Sequence, residues 1–377
     1  MQLSPTPHAP AARHGARVLA AALALPGLAA LADNPPEAAT ASFRVLDYRE
    51  SQPGADRIKV VAPALSLVTP LGSRWSAAGT LISDAISGAS PAYHSSGLTR
   101  LQDHRKAADF SVSRHFDDAT LTVGGSASTE ADYFSRGLSV QGSLSSDDRN
   151  TTWTAGLAAS SDRINPTNRV VENEHKRSAE LLFGMTQVLG VHDIVQANIG
   201  WSQARGYLSD PYKVFDHRPR HRDQYRLVLR WNHHLASIGG TLRSSWRWYG
   251  DSFGIRSHTL GLEFVQPAAG RWTLTPSLRL YTQSAARFYM AADPSTEPFP
   301  PNPPADAVDF SQDQRLSAFG ALTVGLKLSC QLDPDWLADV KIERYSQRGA
   351  WRLFGSGSTG LQPFDTRSIQ VGLSRRF

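Results

Sequence analysis

Hydrophobic and polar residues alternate along most of this chain with the period of a β-strand, in which successive side chains point to opposite faces. The pattern is clearest from Arg222 to Tyr249. In the first arm, RDQYRLVLRWNHHL, Tyr225, Leu227, Leu229 and Trp231 share one parity; Gln224, Arg226, Arg230, Asn232 and His234 share the other. In the second, ASIGGTLRSSWRWY, Ile238, Leu242, Trp246 and Trp248 alternate with Thr241, Arg243, Ser245, Arg247 and Tyr249. The hairpin has one apolar face with aromatic ends and one arginine-rich face. Such a sheet either half-buries itself in a soluble sandwich or spans a membrane, with lipid on one face and water on the other.

The pattern recurs in about sixteen segments of barrel-strand length. They lie near 42–50, 56–69, 74–86, 105–116, 119–130, 133–145, 151–162, 175–188, 192–204, 222–235, 237–250, 255–266, 272–284, 313–328, 336–348 and 366–377. Trp153, Ala155, Leu157 and Ala159 oppose Thr152, Thr154 and Gly156; Leu278 and Leu280 oppose Ser277, Arg279 and Tyr281. The second segment is the least regular: Pro63 interrupts it, the parity changes, and a bulge is expected there.

The connections separate the two folds. Every second one is short: Leu71–Arg74, Asp117–Asp118, Ser146–Asn150, Leu189–Val191, the turn at Leu235, Pro267–Gly270 and Cys330–Asp335. The others include all the long ones: Ser87–His104, Arg163–Glu174, Gly206–His221, Ala285–Gln312 and Gly349–Asp365. Short periplasmic turns and long extracellular loops are the asymmetry of an outer-membrane barrel; a soluble sandwich has no reason to keep it. Aromatic residues agree. Trp75, Trp153, Trp231, Trp272, Trp336, Phe116, Phe264 and Phe377 gather at the short-turn ends, and Trp201, Trp246, Trp248, Phe134 and Tyr225 at the opposite ends. Rings of this kind favour the membrane–water interface. The expected fold is therefore all-β: a single transmembrane antiparallel β-barrel over residues 42–377.

Composition narrows the function. Charged residues make up 19% of the 377, and the net charge is +5. Many arginines lie within alternating segments rather than in blocks, which points to charges lining a wet interior and away from nucleic acid. The single cysteine forms no internal disulfide and no haem-attachment motif. At the N-terminus, Arg13, His14 and Arg17 precede VLAAALALPGLAALA, and Ala30-Leu31-Ala32 fits a small-x-small cleavage site. Residues 1–32 read as an export signal and 33–41 as a periplasmic linker.

Candidate chemistry follows from parity. Arg226, Arg230, Arg243, Arg247 and Arg279, continued by Lys327 and Lys341, form a basic ladder on the inner wall, partly neutralised by Glu263, Asp339 and Glu343. Such a ladder favours anions in a pore, or is a structural girdle paired with loop carboxylates or lipopolysaccharide near the rim. Asp84, Ser87, Gly88 and Ser90 sit in the first long loop, as a constriction or a simple turn. His217 and His221, near Asp210 and Asp216, match no strong metal-ligand spacing. Adjacent His233 and His234 point to opposite faces. Ala285–Gln312, with EPFPPNPPAD, reads as a mobile outer loop. No nucleophile–base pair, phosphate-binding loop or dinucleotide fingerprint stands out, so neither enzyme nor cofactor chemistry is expected. The last strand, SIQVGLSRRF, carries Gln370, Gly372 and Phe377 at the polar, glycine and aromatic positions of the signal that hands barrels to the outer-membrane assembly machinery; Arg375 departs from that pattern.

SDAISGASP (Ser83–Pro91), SDPYK (Ser209–Lys213) and DQRLSAFGALTVGLKL (Asp313–Leu328), with the arginine-rich closing strand, resemble the domain-of-unknown-function 3570 family. The resemblance covers most of the chain beyond the export signal. It implies an outer-membrane β-barrel without an established activity, whose relatives tend to be encoded near flavin-transfer proteins and small lipoproteins. The leading expectation is an outer-membrane pore or transport-related channel. The alternative is a structural sheath or docking platform for an envelope redox or secretion assembly, with a periplasmic or lipoprotein partner.

Overall fold

In the computed structural model, sixteen antiparallel strands form a closed barrel. The structure describes residues 34–377 except 54, 92–97, 214, 269, 292–297, 299 and 300. The expected export signal, 1–32, lies outside the described residues. Strand order around the ring follows the sequence, each strand pairing with its neighbours in the chain. The ring closes where Thr40–Gln52 pairs with Phe364–Arg376, from Thr40 opposite Arg376 to Ser51 opposite Asp365. Closure leaves no edge of unpaired N–H and C=O groups, the condition for a sheet to exist in hydrocarbon. Among the described residues no helix is long and apolar enough to cross a membrane; the crossing elements are strands.

The alternation sorts the side chains as the sequence predicts. One parity carries exposed apolar rows: Phe110 is 60% exposed, Leu138 73% and Leu157 59%, with Val123, Val140, Leu181, Ile199, Leu229, Leu278 and Val371 in the same state. Among the described residues no second layer of protein covers them. A soluble chain rarely exposes an apolar surface this extensive; a barrel in a bilayer requires it. The aromatic bands stand at both ends of these rows. At the short-turn end the Arg114 guanidinium lies 5.1 Å from the rings of both Trp75 and Phe116. Arg375 lies 5.2 Å from Trp336 and 5.0 Å from Phe377. The arginine that departs from the terminal pattern thus caps two girdle rings, its apolar stem against lipid and its head in the interface.

Four local expectations are corrected. Ser83–Pro91 is not a loop: the strand Trp75–Pro91 runs through it and pairs with Leu98–His115, Ser87 opposite Gln102 and Gly88 opposite Leu101. The strand expected from residue 313 begins at Phe319; Asp313 instead caps a 3-10 turn, Gln314–Leu316, by accepting from the Arg315 N–H. There is no bulge at Pro63, which pairs in register with Val45; the irregularity lies at Glu50 and Arg57. The apparent parity change has a physical cause. Ile58, Val60 and Ala62 point inward yet are buried at 3%, 1% and 0%, forming an apolar patch with Leu46 and Tyr48. Both faces of that stretch are apolar because protein fills the interior beside it. Lastly, the end of the expected linker is already strand, which starts at Thr40.

Depth-dependent solvation makes the two faces unequal. Leu157→Arg, at the middle of the outer wall, is expected to destabilise the barrel by about 2–4 kcal/mol. Ser160→Arg, on the inner wall of the same strand, should leave the urea midpoint in lipid vesicles near that of the parent. Equal losses at both positions contradict the assignment of faces.

Candidate functional site

The interior has two differently built walls and a plug. On one wall, six adjacent strands contribute many small inward residues, with Asp109 and Glu180 beside them. Ala78, Ser111, Gly124, Gly137, Ala158 and Ser178, one from each, line a recess of about 330 Å³. The opposite wall carries the basic residues. Arg226, Arg230, Arg243, Arg247 and Arg279 occupy the parity opposite Tyr225, Leu229, Trp246 and Leu278, as do Lys327 opposite Leu326 and Lys341 opposite Ile342.

Each basic group has a specific neighbour. Arg226 donates to Glu180 at 3.0 Å, across to the small-residue wall, and Arg230 to Gln196 at 2.8 Å. Arg247 donates to Thr259 at 3.2 Å and Arg279 to Thr323 at 3.3 Å. Lys327 sits 3.9 Å from Asp339, and Lys341 3.0 Å from Glu343. Arg243 stands opposite Glu263 in the ladder. Arg230 and Arg279 occupy one row, separated by Ser245 and Gly261.

The plug was not foreseen. The described parts of the connection after Asp193–Gly206 and of the one after Trp272–Gln283 pack against each other. Asp216–His217 pairs antiparallel with Phe310–Ser311, and Met290 N–H donates to the Ser311 carbonyl at 2.8 Å. The expectation of a mobile outer loop at Ala285–Gln312 is thus corrected for its two ends. Two contacts fix the plug across the ring, to Arg57 and to Asp132, and a third ties it to the end of its own strand. Gln314, with its amide oxygen turned toward Arg57, accepts from that guanidinium at 3.2 and 3.3 Å. Gln283 donates to the Ser317 carbonyl at 2.6 Å, and the Tyr212 hydroxyl to Asp132 at 2.6 Å. Arg57 and Asp132 lie on a strand and a hairpin that do not carry the plug, so its described parts reach across the long-loop mouth. Beside them Phe253 and Ile255, from the turn after Gly240–Asp251, make a small apolar core with Ala286 and Leu316.

A charge network locks the plug. Arg315 donates to Asp313 at 2.7 Å and to Asp210 at 2.7 Å. Arg218 donates to Asp313 at 2.7 Å and to Asp216 at 3.0 Å. Asp313 is 1% exposed, while Arg315 keeps 38% of its side chain open. Burial penalises the Asp313 carboxylate, but the Arg315 and Arg218 guanidinium groups outweigh it and hold its pKa well below the usual carboxylate range. Asp216 is pushed the other way, by burial despite Arg218 and by the neighbouring Asp313. SDPYK and DQRL, two of the stretches on which the family resemblance rests, meet in this network. The third does not join it: Asp84 points inward from its strand, nearly sealed, 3.6 Å from Arg105. The side chains of Ser87, Gly88 and Ser90 lie outside the described residues.

The remaining candidates separate. His217 faces Asp309 at 3.6 Å and His221 faces Asp223 at 2.7 Å, while Asp210 and Asp216 are engaged by arginines, so the four do not converge. His233 bonds Asp193 at 2.8 Å and His234 bonds Thr241 at 3.2 Å, on opposite faces. In the closing strand Gln370 stands beside Lys341, and Gly372 lies between Arg44 and Asp339. A Cβ at Gly372 would meet Asp339 Oδ2 at 2.8 Å, so a larger residue there would displace the Asp339 side chain. The Phe377 N–H donates to the Ala39 carbonyl at 2.9 Å.

Comparison with known proteins agrees with this architecture. The family model described as "Protein of unknown function (DUF3570)" matches residues 94–173 and 167–366. No curated protein matches. Among solved structures, one described as a bacterial polysaccharide outer membrane secretin superimposes with a TM-score of 0.51 at 9% identity, covering 89% of this chain and 98% of that one. The CymD monoaromatic hydrocarbon channel gives 0.45 at 10%, covering 90% and 89%. OccK2 (OpdF) of Pseudomonas aeruginosa gives 0.46 at 12%, covering 90% and 98%. At these identities the likeness is one of fold.

The lock should tolerate acid. Because the folded pKa of Asp313 is depressed, its contribution is present above the unfolded carboxylate pKa of about 3.9 and is lost only as pH falls through the lower folded value. Asp216, whose folded pKa is raised, gains nothing from staying ionised. Amide exchange at Ala286, Met290 and Ser311 is therefore expected to be at least as protected at pH 5 as at pH 7. Asp313→Asn should lower that protection by about 2 kcal/mol, less than for a fully buried pair because Arg315 is partly open, with the barrel amides unchanged. Protection that collapses by pH 5 in the parent contradicts the network.

Proposed function

This chain belongs to the DUF3570 family of proteins of unknown function, and from that premise we propose that it is an outer-membrane pore with an arginine-lined lumen that favours anions. The observation that carries the reading is the asymmetry of the interior. A wall of small residues leaves room beside a wall of guanidinium and ammonium groups. Several of the latter bond neutral partners, as Arg230 does Gln196 and Arg279 does Thr323, so their charge is not cancelled locally. Fixed positive charge inside a low-dielectric wall raises the local concentration of anions. The short-turn end is the periplasmic one in this reading, and the closing strand, with Gln370, Gly372 and Phe377, is what the assembly machinery engages. The plug acts as the gate: the Asp313–Arg315–Arg218 network holds two connections across the extracellular mouth and sets the resting conductance low.

The plug also supports a second reading, a sheath or docking platform for an envelope assembly with a periplasmic or lipoprotein partner. A scaffold needs no open mouth, and its recess is a place for a partner's segment. In planar bilayers the pore reading expects small, anion-preferring conductance. Asp313→Asn should increase it, and Arg226→Glu, Arg230→Glu and Arg247→Glu together should reverse the preference, read as the sign of the reversal potential in a salt gradient. A barrel that never conducts with either plug sequence, yet repeatedly co-purifies with one envelope protein, overturns the pore in favour of the scaffold.

A further inference from the structure

The outer wall carries a second set of arginines. Lys106, Arg136, Arg163, Arg177 and Arg205 stand on five strands near the long-loop end, all exposed. Each shares the parity of an exposed apolar residue of its own strand: Phe110, Leu138, Leu157, Leu181 and Ile199. They therefore face outward, not into the bore. Register brings them together. Arg177 pairs directly with Arg205, Arg136 stands opposite Ser161, which is opposite Arg177, and Arg163 lies one outward position beyond Ser161. The four arginines come from adjacent strands and span about 14 Å. Arg205 lies four residues beyond the girdle residue Trp201, past the apolar band. Among the described residues none of the four has a carboxylate partner. The other outward basic row, Arg344, Arg367, Arg49 and Lys59, is neutralised in part, because Asp47 engages Arg49 at 2.7 Å and Lys59 at 3.7 Å, which leaves two arginines outside these ion pairs in place of four.

An apolar groove begins where this row ends. Phe43, Leu65, Leu81 and Phe134 rise around a floor that includes Ala108 and Ala127, enclosing about 510 Å³ on the outer wall. Lys106 borders it, and Ala127 pairs directly with Arg136. Uncompensated guanidinium groups at headgroup depth suit phosphate, which they bind through paired N–H donors. A groove with small side chains for a floor suits an acyl chain.

We propose that this face binds a phosphorylated, acylated glycolipid of the outer leaflet, of the lipopolysaccharide class, with its phosphates on Arg136, Arg163, Arg177 and Arg205 and an acyl chain in the Phe43–Phe134 groove. The site is independent of conduction and lies on the opposite side of the wall from the basic ladder. The purified full-length barrel in detergent is titrated with lipid A, with dephosphorylated lipid A and with inorganic phosphate, and binding is read by native mass spectrometry. Lipid A should bind the parent. The variant R136Q/R177Q/R205Q should bind on the order of a hundredfold more weakly, at about 1 kcal/mol for each charge removed. Ala127→Trp, which fills the groove, should weaken lipid A binding with the arginines intact, while R344Q/R367Q should bind as the parent does. Equal affinity for dephosphorylated lipid A, or the same affinity in the parent and the triple variant, overturns the proposal, as does inorganic phosphate binding at this face while lipid A does not. Heat-modifiable migration of each variant on gels establishes that it is folded, and a single Arg177→Gln exchange serves if the triple variant is not.

Discussion

A strand inside hydrocarbon must find a partner for every N–H and C=O, and the pairing of Thr40–Gln52 with Phe364–Arg376 meets that requirement by closing the ring. The other features follow from closure. A closed sheet has one outside and one inside, and period-two alternation assigns every side chain to one of them. Leu138, Leu157 and Val140 are apolar because lipid is the only neighbour available to them. Glycine at 372 leaves room on the inside for Asp339 and Arg44, which approach from both sides. Closure also sets the width, and sixteen strands enclose more space than wall side chains fill.

How that space is used gives the barrel its character. On six adjacent strands small residues predominate around a recess that Asp109 and Glu180 also line, and arginines and lysines of five strands share the inward parity on the other side. At the long-loop mouth the described parts of two connections meet and are fixed by a buried network that joins residues as far apart in sequence as Asp210 and Arg315. Taking Asp313 out of water is unfavourable; two guanidinium groups offset it, and together they specify one arrangement of the plug. The small apolar core of Phe253, Ile255, Ala286 and Leu316 supplies further burial, at the mouth where the plug meets the turn after Gly240–Asp251.

The barrel was legible because its signals are local. Alternation in Tyr225–Trp231 or Trp153–Ala159 needs no knowledge of the rest of the chain, and the parity of short and long connections needs only their order. The plug was not legible, for two reasons. Its contacts join distant segments, and DQRLSAF alternates well enough to pass for the start of a strand although Asp313 turns it into a 3-10 cap. The inward apolar patch at Ile58, Val60 and Ala62 misled in the same way, since parity rules assume a watery interior. His217 and His221 lie close in sequence, but each is drawn to its own carboxylate. The outward arginines escaped notice because Arg136, Arg163, Arg177 and Arg205 sit singly near strand ends, and only register assembles them. The stretches that carry the family resemblance proved informative in a way composition was not: SDPYK and DQRL are the two halves of the lock.

The central claim is that the oily rows meet acyl chains while the guanidinium rows meet an enclosed aqueous space. Single cysteines placed at Val140, Leu157, Gln141 and Ser160, after replacing Cys330, and labelled with a polarity-sensitive fluorophore in brominated-lipid vesicles, test it most directly. The account predicts strong quenching by brominated acyl chains at Val140 and Leu157, and at Gln141 and Ser160 quenching only by a water-soluble agent. Uniform quenching at all four positions, or access from water to Val140 and Leu157, would contradict it.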